Sequence, residues 1–317
     1  VGNALGDPHL HGARSVSTQR RSSGCDVICI GSVLWDVIGR ASTPMRQGSD
    51  VPGRITRLPG GVALNIAMTL AGFGLRPNLL TAIGRDAEGD ELVAACAARG
   101  VATTHIFRSE DLPTDRYMAV EGANGLIAAI ADAHSLEAAG HKILRPLQDG
   151  RLATTEAPYA GVIAVDGNLP AELLADIAHA PIFARADLRV APASPGKAER
   201  LLPFLRAGRG TLYVNLEEAG LLCNARFAEA ADAARALLQH GAARVLVTDG
   251  GGAASDGTAQ GVISRRPPQV PVCRVTGAGD TFMAAHIVAE RAGAARDEAL
   301  ETALGAAAAF VSGGEVP

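Results

Sequence analysis

One aspartate, Asp280, follows three small residues in the run Arg274-Val-Thr-Gly-Ala-Gly-Asp280-Thr-Phe282, and a helical pattern to about Ala292 begins at once. N–H groups at such a helix start lack intrahelical partners, and the helix dipole favours an anion there. Gly277, Ala278 and Gly279 leave the approach sterically open. In a plain phosphate site a carboxylate would repel the ligand. It makes sense as a base that takes a proton from an attacking hydroxyl while the amides hold the phosphoryl group in transfer. The same pattern also fits an aspartate that merely caps a helix after a glycine turn.

Four other segments carry chemistry of a compatible kind. Gly60 and Gly61 precede a helix with Asn65 one turn in, where its amide can both donate to and accept from a hydroxyl. Asp36 follows a buried-looking run that ends at Gly31, and a carboxylate there can accept from two adjacent sugar hydroxyls. Asn215 and Glu218 stand just after a strand and offer oxygens suited to Mg²⁺ and its retained waters. Thr248 leads into Asp249-Gly250-Gly-Gly252, a glycine turn that would let a nucleotide approach the backbone. Each also has a plainer reading as a turn, a cap or a solvated helix start. No Walker A, H-E-x-x-H or G-x-S-x-G pattern occurs, and no G-x-G-x-x-G follows the first strand.

The elements that must position these residues alternate. Apolar runs predict strands at Asp26–Gly31, Leu79–Ile83, Val162–Asp166, Leu188–Ala191, Thr211–Val214 and Val245–Thr248. Helical patterns lie between them at 62–73, 88–99, 170–178, 197–205 and about 225–240. This order predicts βαβ units, a mainly parallel sheet and helices on both faces. Two stretches break the rhythm, 36–58 and 112–132, the second with the turn Gly122-Ala-Asn-Gly125 between apolar runs. They are expected to form a small β lid. Residues 1–23 have no hydrophobic period and no apolar signal stretch, and read as a tail; 24–317 read as one unit.

Composition excludes several classes. Of 317 residues, 48% are hydrophobic and 20% charged, a globular mixture, and the net charge of -4 gives no overall basic field for nucleic acid or a membrane surface. Aromatics at 3% argue against a base-stacking platform. Five cysteines without a C-x-x-C pair predict reduced thiols and a cytoplasmic setting, with no disulfide framework or zinc site.

Taken in order, the five segments resemble the ribokinase family, also called PfkB-type carbohydrate kinases, from about Asp26 to the C-terminus. Thr276–Phe282 matches the family's G-A-G-D element, Asn215 and Glu218 its N-x-x-E, and Thr248 with Gly250 its T-x-G. The resemblance implies a three-layer α/β core with a β lid, ATP and Mg²⁺. It makes Asp280 the catalytic base and Gly277, Ala278 and Gly279 the anion hole. Asp36, Gly60, Gly61 and Asn65 would hold the substrate. Asn215 and Glu218 would organise the metal, and Thr248, Gly250 and Gly252 would line the nucleotide site.

Within the family the chain is most similar to the pseudouridine kinases, on Pro52-Gly53-Arg54-Ile55, Thr114-Asp-Arg-Tyr117, Ala129-Ile-Ala-Asp132, Asp166-Gly-Asn168 and Pro192-Ala-Ser194-Pro-Gly-Lys197. That likeness adds Thr114, Asp132, Asp166 and Asn168 to the expected substrate set, with the ribose 5′-hydroxyl as acceptor. A homodimer through the lid is also expected. Two positions depart. Leu64 stands where the subgroup carries arginine, and Arg274 stands where the family has Asp or Asn near its monovalent-cation site, which argues against K⁺. An aldose (ribose or fructose) or other nucleoside kinase of the same family, and a non-catalytic binder of this fold, are the rival expectations.

Overall fold

In the computed structural model, residues 25–314 are described; the tail expected over 1–23 lies outside them. The chain runs through β1 (Val27–Ile30), β2 (Leu34–Arg40), β3 (Arg54–Gly60), α1 (Val62–Gly72), β4 (Pro77–Leu80), β5 (Ala82–Gly84) and α2 (Ala87–Ala97). Next come β6 (Phe107–Ser109), β7 (Arg116–Gly122), β8 (Gly125–Asp132), α3 (His134–Ala139), β9 (Val162–Asp166), α4 (Ala171–His179) and β10 (Asp187–Ala191). It ends with α5 (Leu202–Ala207), β11 (Thr211–Asn215), α6 (Leu216–Cys223), α7 (Ala230–Gln239), β12 (Arg244–Thr248), β13 (Ala254–Thr258), β14 (Gly261–Arg265), α8 (Ala278–Arg291) and α9 (Arg296–Val311).

Eight strands form one sheet in the order β14-β13-β12-β11-β10-β9-β1-β4, parallel from β12 to β4 and antiparallel at β13 and β14. Strand side chains alternate between faces, so the apolar runs serve two cores. Ile28, Ile30, Ile163 and Val165 pack with α4 to α7 on one face. Val27, Cys29, Val162 and Ala164 pack with α1, α2, α8 and α9 on the other. This is the ribokinase-like three-layer architecture. A separate sheet, β3-β2-β7-β8, stands beside it as the lid.

Local expectations needed correction. The single strand over Leu79–Ile83 is two: β4 joins the main sheet, whereas β5 turns away to pair with β6. The helix over 197–205 is a 3₁₀ turn, Pro195–Leu201, followed by α5. Pro203 has no N–H to donate, so an α-helical ladder cannot run through from residue 199. The helix over 225–240 begins only at Ala230, and α6 precedes it, closed by Asn224 at φ 50°. The five cysteines are unpaired, and no helix among the described residues is long and apolar enough to cross a membrane.

Candidate active site

Asp280 sits in the first turn of α8, and α8 is pinned from behind. Its Glu290 accepts from Arg189 of β10 and from Arg244 of β12, the latter at 2.5 Å. Arg244 also holds Asp256 of β13 at 2.7 Å. Tyr213 Oη lies 2.9 Å from His286 Nδ1, and burial lowers the His286 pKa to about 4, so the ring is neutral at working pH. This paired cluster fixes the helix that carries the carboxylate.

In front, Asn65 Nδ2 donates to Asp280 Oδ2 at 2.9 Å, across 215 residues of sequence. Burial raises the Asp280 pKa to about 7; the Asn65 hydrogen bond opposes the shift, and Asp166, Asp36 and Glu218 add to it as nearby negative charges. The expected carboxylates therefore converge on one cleft. The Asp36 carboxylate has no hydrogen-bond partner among the described residues, and burial lifts its pKa to about 6. Gly60 lies against its carboxylate, where a Cβ would collide with Oδ2. Gly61 turns into α1 at φ +100°, and a Cβ there would stand 2.5 Å from Ser32 O, so this turn requires glycine.

The anion hole differs from expectation at one amide. Ala278 N–H donates to Val275 O at 3.0 Å, so it is already engaged. Gly277, Gly279 and Asp280 keep N–H groups without an acceptor among the described residues. Next to them opens a mostly apolar cavity of about 260 Å³. Its wall includes Thr248, Gly250, Ala278, Gly279 and Phe282, with Leu304 of α9 closing it. Gly251 lines it where Gly252 was expected; Gly252 instead closes the turn, its N–H on Asp249 O at 2.6 Å. Asn215 and Glu218 form a reciprocal cap at the start of α6, with Asn215 Oδ1 accepting from Glu218 N and Glu218 Oε2 from Asn215 N, both at 2.8 Å. One Glu218 oxygen remains free, and burial raises this group to about 7. A single free carboxylate oxygen fits a Mg²⁺ held mainly by phosphates and water.

Four expected substrate contacts are placed otherwise. Thr114 is 1% exposed and its hydroxyl donates to Asp86 Oδ1 at 2.6 Å, so it serves the foot of the lid. Asp132 pairs in register with Arg116, one residue off the Asp36–Tyr117 pair, and so lies on the opposite face of the lid from Asp36; its carboxylate meets His134 at 2.6 Å. Asp166, fully buried, accepts from Ser32 N, Ser32 Oγ and Asn168 N. Asn168 Oδ1 accepts from Lys197 Nζ at 2.6 Å, and its Nδ2 donates to Ser32 Oγ at 3.0 Å. These two build the floor and leave little to offer a ligand. Ser32, Lys197 and Tyr117 were missed; Tyr117 stands beside Asp36 in register, on the cleft side of the lid.

Comparison with known proteins agrees with this fold. The family model described as pfkB family carbohydrate kinase matches residues 25–316. The chain belongs to the pfkB carbohydrate kinase family. A pseudouridine kinase of Escherichia coli is 31% identical over 271 residues, 81% of each chain. A carbohydrate kinase structure from Agrobacterium tumefaciens superposes with a TM-score of 0.74 at 26% identity, over 90% of each chain. The fold is shared with an Arabidopsis thaliana ribokinase complexed with ribose and ATP, at TM-score 0.70 and 19% identity, over 91% of this chain and 93% of that one. For a pfkB kinase, the shifted Asp280 has a direct consequence. If Asp280 is the base that the sequence predicts, it must be ionised to act, so kcat/KM should rise with pH, with slope near one below about 7, and level above it. A profile flat from pH 5.5 to 8.5 would remove this assignment.

Proposed function

We propose that the chain transfers the γ-phosphoryl group of ATP to the 5′-hydroxyl of a nucleoside, pseudouridine foremost. The observation that carries this reading is Asp280, hydrogen-bonded by Asn65, between the apolar cavity on one side and the lid's unpartnered Asp36 on the other. Asp36 and the free Asn65 Oδ1 accept from ribose hydroxyls, and Tyr117 offers an aromatic face towards the base. Asp280 takes the proton from the attacking hydroxyl. The new oxygen–phosphorus bond forms as the β–γ bridge breaks and ADP leaves. The amides of Gly277, Gly279 and Asp280 meet the charge that develops on the phosphoryl oxygens. Mg²⁺, when bound, neutralises phosphate charge, with Glu218 as the residue that would orient it. Pseudouridine ranks first because of the Escherichia coli relative.

The test is ADP release with pseudouridine, uridine, cytidine, adenosine, ribose and fructose side by side. Turnover on a free sugar but not on a nucleoside would move the reading to an aldose kinase. No turnover on any would move it to a binding protein.

Arg274 lies over the Phe310 ring at 3.8 Å and donates from Nε to Phe310 O at 2.9 Å. It thus places a fixed cation beside the glycine turn, and exchanging K⁺ for Na⁺ should change the rate less than twofold; strong K⁺ activation would overturn this. The outer face of the lid exposes Ile55, Met118 and Ile130, which share one side of the sheet in register. Such a patch suits a second copy of the chain, and a monomer mass at all concentrations in sedimentation would exclude it. A cytoplasmic setting accords with the unpaired cysteines.

A further inference from the structure

A second cavity, of about 520 Å³, shares no wall residue with the apolar cavity beside Asp280. Its volume is in the range of small-molecule sites. Arg85, Arg108, Lys142, Arg145, Arg151 and His105 line it, against two carboxylates, Glu110 and Asp111. Three of the five permanent cations have local partners. Arg85 meets Glu110 at 3.2 Å, Arg108 meets Asp90 at 2.7 Å, and Arg151 meets Asp149 at 2.6 Å. Lys142 and Arg145 have no carboxylate partner among the described residues, and both stand on the 3₁₀ turn Gly140–Leu147. Lys142 instead lies over the Phe107 ring, 5.5 Å from its centroid. His105 Nδ1 is buried and lacks a hydrogen-bond partner. An excess of positive charge converging on a concave site, with an apolar wall from Ile106, Phe107 and Pro146, is the arrangement that recognises a phosphorylated organic molecule.

We propose that this cavity binds a small phosphorylated ligand, with Lys142 and Arg145 as its main charge contacts. The site is built into the support of the lid. Arg108 donates to Gly84 O at 2.7 Å, two residues before Asp86, whose carboxylate accepts from Thr114 at the foot of β7.

Binding can be read without turnover. Inorganic pyrophosphate is titrated calorimetrically into the full chain at low salt, with the nucleotide site saturated by a non-hydrolysable ATP analogue. One site per chain is expected, weakening as salt rises. Lys142→Glu with Arg145→Glu should weaken it at least tenfold and leave the affinity for the ATP analogue unchanged. Both side chains are exposed, so the fold should tolerate the change; Lys142→Gln with Arg145→Gln provides a milder pair with the same expected direction. Absence of pyrophosphate binding once the nucleotide site is filled would overturn the proposal, and so would a loss below threefold in the charge-reversed variant. Neither result depends on which alcohol the kinase phosphorylates.

Discussion

Replacing Asp280 with asparagine is expected to lower kcat by about 10²–10⁴, because a positioned general base contributes on that scale. The fold should survive, since Asn65 Nδ2 can still donate to the amide oxygen that takes the place of Oδ2. Stability should move the other way. In the folded chain the Asp280 pKa is raised to about 7, chiefly by burial, from an unfolded value near 3.8. Stability that is present below the unfolded pKa is therefore lost as pH rises through about 7. At pH 8 the wild-type protein carries the full cost of an ionised carboxylate among Asp36, Asp166 and Glu218. The neutral variant escapes it, and its melting temperature at pH 8 should exceed the wild type's by about 2–4 °C, the shift expected for roughly 1 kcal/mol. At pH 4 the difference should vanish, because the wild-type group is then protonated. Near-normal turnover in the variant would end the role of Asp280 as base. A melting temperature that falls at pH 8 would end the electrostatic account.

What could be read beforehand, and what could not, follows from the range of the interactions. Asp280 and Asn65 lie in first helical turns that follow glycines, and local signals mark such positions; Asp36 lies inside β2 and stands out only as an acid in an apolar stretch. The apolar runs of β1 and β9 show the parallel core because both faces of those strands are buried. Helix α9, whose Leu304 closes the apolar cavity, is less legible, although acids at Asp297 and Glu298 and apolar residues at 299, 300, 303, 304 and 308 mark its start and buried face. Its alanines blur the contrast on which periodicity depends. Asp132 was misassigned because its side of the lid depends on strand register, and a shift of one residue reverses the face. Ala278 N–H was expected to be free because a loop hydrogen bond three residues back leaves no mark in composition. Thr114 and Asp166 entered the expected substrate set through the family resemblance, and local sequence does not show the partners that engage them, Asp86 and Ser32, because these are 28 and 134 residues away.

Asp166 offers the sharpest test of that last distinction. Its carboxylate joins the end of β9 to Ser32 just after β1, and Ser32 Oγ in turn accepts from Val62 N at the start of α1 at 3.0 Å. Gly31 must lack a side chain here, since a Cβ would run into Asp166. Asp166→Ala leaves the N–H groups of Ser32 and Asn168 and the Ser32 hydroxyl without their acceptor. An orphaned buried donor costs about 1–3 kcal/mol, partly offset by removal of a buried charge, so a net loss of about 2–4 kcal/mol is expected in urea unfolding. Because Ser32 and Asp166 act as one unit, the double change Ser32→Ala with Asp166→Ala should cost clearly less than the two single losses added together. Substrate KM should rise only as a consequence, because Gly61 and Asn65 depend on Ser32 for their placement. A direct hydroxyl-binding role would give the reverse pattern in Asp166→Asn, a large rise in KM with an unchanged unfolding midpoint. The geometry predicts that the midpoint moves first, because this carboxylate accepts from Ser32 N, Ser32 Oγ, Asn168 N and Asn168 Nδ2.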